Sequence, residues 1–313
     1  MRHLQNLKGL TAQEILDILD RAKKIKANPS QYNSLLEKKS LALLFQKTST
    51  RTRVSFEVAM LELGGQAFYI DWATSNFVLS GIEYETEYLS RNTSFIMARL
   101  VKNEDLEKIA KVSKAPVING CCEKFHPCQA LTDIFTIREH CERSLSENQI
   151  AYVGVQNNVS NSLTLICNKL GINLILATPH RKKDEESFDQ DVDKIIKSSP
   201  YIQHEEDPRK AVRSADFVYT DTWVDMQYFN DPQHRKKNAE KIEMLKKFQV
   251  NKSLLQGLKC KIMHDMPIHD GYEITNEMVR DSRSIIFEQA ENRLHAQKGL
   301  LWWLSEKAGE TKD

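Results

Sequence analysis

No stretch of this 313-residue chain approaches the roughly 18 consecutive apolar residues of a membrane-spanning helix, so no transmembrane segment is expected. Glycine-rich phosphate loops are missing too. The 11 glycines form neither a G-x-G-x-x-G nor a G-x-x-x-x-G-K-[ST] pattern, which excludes the usual dinucleotide and P-loop fingerprints. Met1-Arg2-His3-Leu4-Gln5 has no apolar run behind its arginine, so no secretory signal is expected. The six cysteines contain no C-x-x-C pair, and without a signal they are read as reduced thiols of a cytoplasmic protein. Cys121, Cys122 and Cys128 cluster near His126, but their spacing fits no structural zinc pattern. No metal is expected there, and inert buried thiols are the simpler reading. Excess charge of one sign is also lacking. Lys+Arg is 44 and Asp+Glu 43, which argues against a nucleic-acid partner held by a global positive field.

What is present is the composition of a folded globular chain, 41% apolar and 28% charged. At about 150 residues per domain the length suggests two domains. Thr11-Ala12-Gln13-Glu14 reads as a capped helix start, with Ile15, Leu16, Ile18 and Leu19 at helical spacing. Ser40–Phe45 is a short continuous apolar run, the mark of a strand covered on both faces in a parallel sheet. A helix follows from Arg51 to Leu63, closed by Gly64-Gly65. Ala67–Ile70, Phe95–Leu100 and Ala115–Asn119 are further strands. After a polar, charged stretch at 139–148 the alternation restarts. Gln149–Val155 reads as a strand, Ser160–Leu170 as a helix ended by Gly171, and Asn173–Thr178, Phe217–Asp221, Lys261–His264 and Ser284–Phe287 as strands. A final helix runs over Gln289–Glu306. The expected fold is α/β: two doubly wound parallel-sheet domains, 1–142 and 143–286, joined by helices, with 287–313 returning to the first. Such sheets bind ligands outside the carboxyl ends of their strands.

Phe45-Gln46-Lys47-Thr48-Ser49-Thr50-Arg51-Thr52-Arg53 runs from a buried strand into a helix start. Hydroxyls, free helix N–H groups and arginines there make an anion site without glycines. A capped helix with two surface arginines is the plainer alternative. Pro127 suits a first helical position, leaving His126 as cap and Gln129 one turn inside. The two side chains would hold a polarised carbonyl oxygen and a neighbouring NH₂; alternatively His126 only caps the helix. Arg99 ends a strand, and Arg293 lies early in the last helix, where either would serve a ligand or a local ion pair.

Taken in order, Ser49-Thr50-Arg51-Thr52-Arg53, Met97-Ala98-Arg99, His126-Pro127-Cys128-Gln129, Asn157-Asn158-Val159, Asp221-Thr222-Trp223, His264-x-x-Pro267 and Glu291-Asn292-Arg293 resemble the aspartate/ornithine carbamoyltransferase superfamily, on its ornithine side. The likeness spans Leu4 to Leu304. It implies transfer of the carbamoyl group from carbamoyl phosphate to an amine, giving citrulline and phosphate if that amine is ornithine. Ser49, Thr50, Arg51 and Thr52 would bind the phosphate. Arg99, His126 and Gln129 would hold the carbamoyl group, with Arg293 completing the site. Arg99 and His126 would stabilise the developing oxyanion. Asn158 and Asp221 would hold the second substrate. The resemblance also implies a homotrimer and no cofactor.

The chain departs from that pattern around the acceptor. The family's Asp-x-x-x-Ser-Met-Gly is here Asp221-Thr222-Trp223-Val224-Asp225-Met226-Gln227, and its His-Cys-Leu-Pro is His264-Asp265-Met266-Pro267. Asp225, Met226, Asp265 and Met266 therefore join the acceptor set, with Asp265 a catalytic residue if it serves as general base. The loop before Arg99 is shortened, and Val78 stands where the family has a glutamine. Carboxylates at 221, 225 and 265 would hold an amine as ammonium and repel an α-carboxylate. Three acceptor readings follow: ornithine with Asp225 turned to solvent, a diamine or modified ornithine, and a non-catalytic anion-binding paralogue.

Overall fold

The computed structural model describes residues 1–309, with the side chains of Met226 and Gln227 outside the description. The chain divides into two compact units. Unit 1 holds Met1–Phe135 and Glu291–Asp313, and unit 2 holds Thr136–Ala290. The division falls inside a helix, a few residues before the expected boundary at 142/143.

Unit 1 starts with α1 (Ala12–Ala27), whose Thr11 and Glu14 form the expected reciprocal cap. There follow β1 (Ser40–Phe45), α2 (Thr50–Glu62), β2 (Gln66–Asp71), α3 (Ile82–Asn92), β3 (Phe95–Arg99), α4 (Asn103–Val112), β4 (Val117–Cys121) and α5 (Pro127–His140). The four strands are parallel in the order β2-β1-β3-β4. β1, β3 and β4 are covered on both faces, which is why β1 and β3 read as nearly unbroken apolar runs; β4 carries buried Asn119, whose Nδ2 donates to the Gln5 carbonyl at 2.8 Å. Burying each such Leu or Ile contributes roughly 1.5–3 kcal/mol. The order reverses between β1 and β3, so that β1, β3 and β4 end side by side. Phe45 is level with Arg99, and Arg99 with Cys121, where the register shifts.

Unit 2 repeats the plan: β5 (Gln149–Val153), α6 (Asn158–Leu170), β6 (Asn173–Ala177), α7 (Gln190–Ser198), β7 (Ile202–Glu205), α8 (Pro208–Ala211), β8 (Phe217–Thr220), α9 (Met226–Phe229), α10 (Arg235–Leu245), β9 (Lys261–His264) and α11 (Asn276–Val279). Its five strands are parallel in the order β7-β6-β5-β8-β9, reversing between β5 and β8. Gly171 caps α6 with φ +67°, the left-handed conformation that favours glycine.

Two readings of the sequence are corrected. Ser284–Phe287 is not a strand: Ser284 makes a single bridge to Ile262, and the last helix, α12 (Ile286–Gly309), already begins at Ile286. The apolar pair Ile285-Ile286 serves the helix start, where the Gln289 N–H closes onto the Ile285 carbonyl at 2.8 Å. The edge strand β7 went unread because Ile202 is its one buried residue and Gln203-His204-Glu205 follow. From Glu291 onward α12 belongs to unit 1, as expected of a returning helix. It lies on α1 so closely that a Cβ on Gly299 would come within 2.4 Å of the Ile18 carbonyl oxygen. Arg21 pairs with Glu306 at 2.6 Å, and Lys26 donates to Asn292 at 2.7 Å.

Candidate functional site

In unit 1 the chain leaves β1 and enters α2 at the point of strand reversal, which aims the helix N-terminus at the crevice beyond β1 and β3. Ser49 is the N-cap, and its Oγ accepts the Thr52 N–H at 3.3 Å. It also donates to Thr52 Oγ1 at 3.0 Å. Thr50 and Arg51 open the helix, and Thr52 is buried. The remaining first-turn N–H groups and the positive end of the helix make an anion cradle. Arg53 is spent elsewhere, on Glu57 at 2.9 Å and on the Tyr69 ring at 4.2 Å.

Arg99 closes β3 beside this cap, and Gln46 ties the two together. The Gln46 N–H donates to the Arg99 carbonyl at 2.9 Å, and Gln46 Oε1 accepts the Val101 N–H at 2.7 Å. Gln46 had no assigned role in the sequence, because its partners lie over fifty residues away. The Arg99 Nε is buried without a hydrogen-bond partner among the described residues. Beyond the adjacent strand β4, His126 precedes α5 and Gln129 sits in its first turn, both buried. Gln129 is committed at both ends. Its Nε2 donates to buried Asp133 at 2.8 Å, and its Oε1 accepts from Arg293 Nη2. The structure thus brings Arg293 to Gln129, with Asp133 fixing the amide's orientation. Val78 is exposed on a short 3-10 turn. Burial pushes Cys122 and Cys128 up to about 12, the chemistry of inert thiols.

In unit 2 the corresponding turn runs from β5 into α6. Here the cap is Asn157, whose Oδ1 accepts the Val159 and Ser160 N–H groups at 3.0 and 3.1 Å and also the Tyr152 hydroxyl. Its Nδ2 donates to Asp221 Oδ2 at 2.7 Å. Asn158, the residue singled out in the sequence, opens the helix next door. The Asp221 hydrogen bond comes from Asn157, the residue just before Asn158. Asp221 and Asp265 follow β8 and β9, adjacent strands, and both carboxyls are buried. Burial, and next the Asp265 carboxyl, push Asp221 up to about 7, against the Asn157 hydrogen bond.

Asp225 does not join that pair. It is exposed, and its field reaches half-buried Lys241 on α10. The Met226 side chain lies outside the described residues. Met266 is half-buried against the unit 2 core, with φ +62°. Beneath the turn lie His264 and Glu273, both fully buried, with His264 Nε2 and Glu273 Oε1 3.0 Å apart. Arg181 brings a cation to the start of α6, donating to Asn161 Oδ1 at 2.8 Å and to the Asn157 carbonyl at 3.4 Å. Neither Glu273 nor Arg181 belongs to a motif that the sequence singled out. Among the described residues no group of three or more His, Cys, Asp or Glu side chains is placed to hold a metal ion, and no helix is long and apolar enough to cross a membrane.

Residues 2–139 match the family profile described as the carbamoyl-P binding domain of aspartate/ornithine carbamoyltransferase, and residues 146–304 match its Asp/Orn binding domain. The ornithine carbamoyltransferase of Methanopyrus kandleri is 40% identical over 306 residues, covering 96% of this chain and 96% of that protein. A catabolic ornithine carbamoyltransferase of Halobacterium salinarum is 34% identical, covering 96% and 98%. Among solved structures, the ornithine carbamoyltransferase of Pyrococcus furiosus superposes with a TM-score of 0.85 at 40% identity, covering 96% of both chains.

Proposed function

This chain belongs to the aspartate/ornithine carbamoyltransferase family, and we propose that it moves the carbamoyl group of carbamoyl phosphate to the δ-amine of ornithine, releasing citrulline and phosphate. Ser49, Thr50, Arg51 and Thr52 receive the phosphate at the α2 N-terminus, where neutral hydroxyls, free N–H groups and a guanidinium meet its charge. Arg99 and His126 face the carbamoyl oxygen and stabilise the oxyanion formed on attack, the kind of interaction worth about 10²–10³ in rate per donor. Gln129 serves chiefly by holding Arg293, which completes the charge around the phosphate. In this reading 1–142 with 287–313 carries carbamoyl phosphate, and 143–286 carries the amine, through Asn158, Asp221, Met226, Asp265 and Met266.

The observation that carries the acceptor reading is the buried Asp221–Asp265 pair. Two such carboxyls keep a shared proton near neutrality, so the pair presents about one negative charge, suited to one ammonium. The ammonium gives one proton to Asp265; the neutral amine forms the new C–N bond as the C–O bond to phosphate breaks, and the second proton shed by the nitrogen leaves on the departing phosphate. With Asp225 exposed, the charge argument for a diamine weakens, and Arg181 offers a cation on the Asn158 side for an α-carboxylate. No cofactor takes part in this reading.

Phosphate release with ornithine, acylated ornithines, lysine, putrescine, agmatine and aspartate tests the assignment. Efficient turnover of ornithine alone is expected. Preference for a diamine overturns the acceptor assignment, and silence across the panel favours an anion-binding paralogue. We also assign a homotrimer, supported by exposed Val54, Leu61, Phe68 and Tyr69 on α2 and the edge strand β2, and expect one sedimenting species of three chains. A cytoplasmic site of action is supported by six cysteines that are all free thiols.

A further inference from the structure

Glu273 is a carboxylate with no exposure at all, lying outside every motif assigned a role above. Its Oε1 faces two donors. The His269 backbone N–H reaches it at 2.7 Å, and His264 Nε2 lies 3.0 Å away. The other side of the His264 ring accepts a hydrogen bond: the Met266 N–H reaches Nδ1 at 2.7 Å. A backbone N–H only donates, so Nδ1 must keep its lone pair. A neutral ring then carries its proton on Nε2, directed at Glu273. The line Glu273–His264–Met266 N–H holds the residues on either side of Asp265 and ends on a residue at φ +62°, a conformation a methionine side chain disfavours and its surroundings must impose.

We propose that Glu273 is a positioning residue for the acceptor: by fixing His264 as its Nε2–H tautomer it frees Nδ1 to hold the Met266 N–H, and so sets the turn that presents Asp265 beside Asp221. This rests on the reading of Asp221 and Asp265 as the amine site. The function of Glu273 is to accept a hydrogen bond, so its charge is dispensable and its oxygen is not. Glutamine supplies the same acceptor and places an NH₂ where Oε2 has no partner among the described residues. It loses stability while keeping the tautomer. Leucine loses both.

Two measurements test this. In a long-range ¹H–¹⁵N spectrum of the protein labelled at histidine, the His264 signal, assigned by its loss in His264→Asn, is expected as neutral Nε2–H. An Nδ1–H tautomer or an imidazolium in the resting protein overturns the proposal. In steady-state kinetics, Glu273→Leu is expected to raise KM for ornithine about tenfold to a hundredfold, the scale of a misplacement of about 1 Å, while KM for carbamoyl phosphate stays put. Glu273→Gln is expected to recover the ornithine KM despite a lower Tm. Equal movement of both KM values in Glu273→Leu, or of neither, overturns it. If Glu273→Leu does not fold, the tautomer and the glutamine variant decide. If the parent protein turns over no ornithine, the acceptor assignment fails instead, and the spectrum, which needs no substrate, still decides the role of Glu273.

Discussion

At the strand reversal of unit 1, β1 runs into a helix capped by Ser49, and Arg99 ends the neighbouring strand. At the strand reversal of unit 2, β5 runs into a helix capped by Asn157, and the neighbouring strands deliver Asp221 and Asp265. Backbone geometry is shared: a parallel sheet, a side-chain cap and a helix N-terminus at the crevice. Charge is opposite. A helix N-terminus favours anions, so in unit 1 the fold and the arginines act together. In unit 2 the same positive helix end supports carboxylates that burial and their mutual repulsion disfavour, and the cap adds a donor to one of them. Asn157 accepts from the helix on Oδ1 and donates to Asp221 from Nδ2, two separate atoms, so the donor reaches the neighbouring strand while the acceptor stays on the helix. Ser49 instead spends its hydroxyl on Thr52 and leaves the remaining donors for a ligand.

The comparison breaks most sharply at Arg51. Arg51→Ala is expected to abolish binding of carbamoyl phosphate in titration calorimetry, with kcat/KM down about a thousandfold. Unchanged affinity would show that the α2 N-terminus is not the phosphate site. Arg293→Lys comes next. Lysine cannot reproduce a planar fork held by the Gln129 oxygen, so about a hundredfold loss of kcat/KM for carbamoyl phosphate is expected, with KM for the amine little changed.

The carboxylate edge shows itself in pH. With Asp221 raised from 3.8 to about 7, the folded protein binds more protons than the unfolded chain between those values. Stability from this group is therefore present at low pH and is lost as pH rises through about 7. Thermal unfolding followed from pH 4 to 8 should show a decline toward neutrality that Asp221→Asn flattens. A parent slope equal to that of the variant would mean the carboxyl is not held protonated. Asn157→Ala and Ser49→Ala each remove a cap worth about 1 kcal/mol, with Asn157→Ala the more damaging because Asp221 also loses its donor. Urea titrations compare them. Smallest is Asp225→Asn, expected within about 0.5 kcal/mol of the parent because the side chain is exposed; a large loss of ornithine turnover would return Asp225 to the site.

The sequence made the strands that lie between helices legible, since β1, β3, β5 and β8 are covered on both faces and so largely apolar. It hid β7, whose polar residues suit a sheet edge. It led Ser284–Phe287 astray because Ile285-Ile286 suits a buried strand and a buried helix start equally. In the site, groups at strand ends and helix starts were legible by type: Arg99, His126, Asp221, Asp265. Those acting through partners distant in the chain were not. Gln46 matters through Val101, Gln129 takes its role from Asp133 and Arg293, and Glu273 acts through a ring nine residues away. Nothing local distinguishes such residues from ordinary polar ones.

The closeness of Gly299 to α1 has a consequence for how this protein is made. Unit 2 is one uninterrupted stretch of chain, whereas unit 1 needs its first 135 residues and α12. Domains tend to fold as they leave the ribosome, at about 5–20 residues per second. The first unit to begin is then the last to finish: its helix α1 waits, with Ile18 and Ala22 uncovered, until the far end of the chain emerges and Gly299 settles on them. A message cut short before α12 yields a protein with unit 2 complete and unit 1 lacking Arg293. Its buried core stays open as well, a form that quality-control proteases recognise.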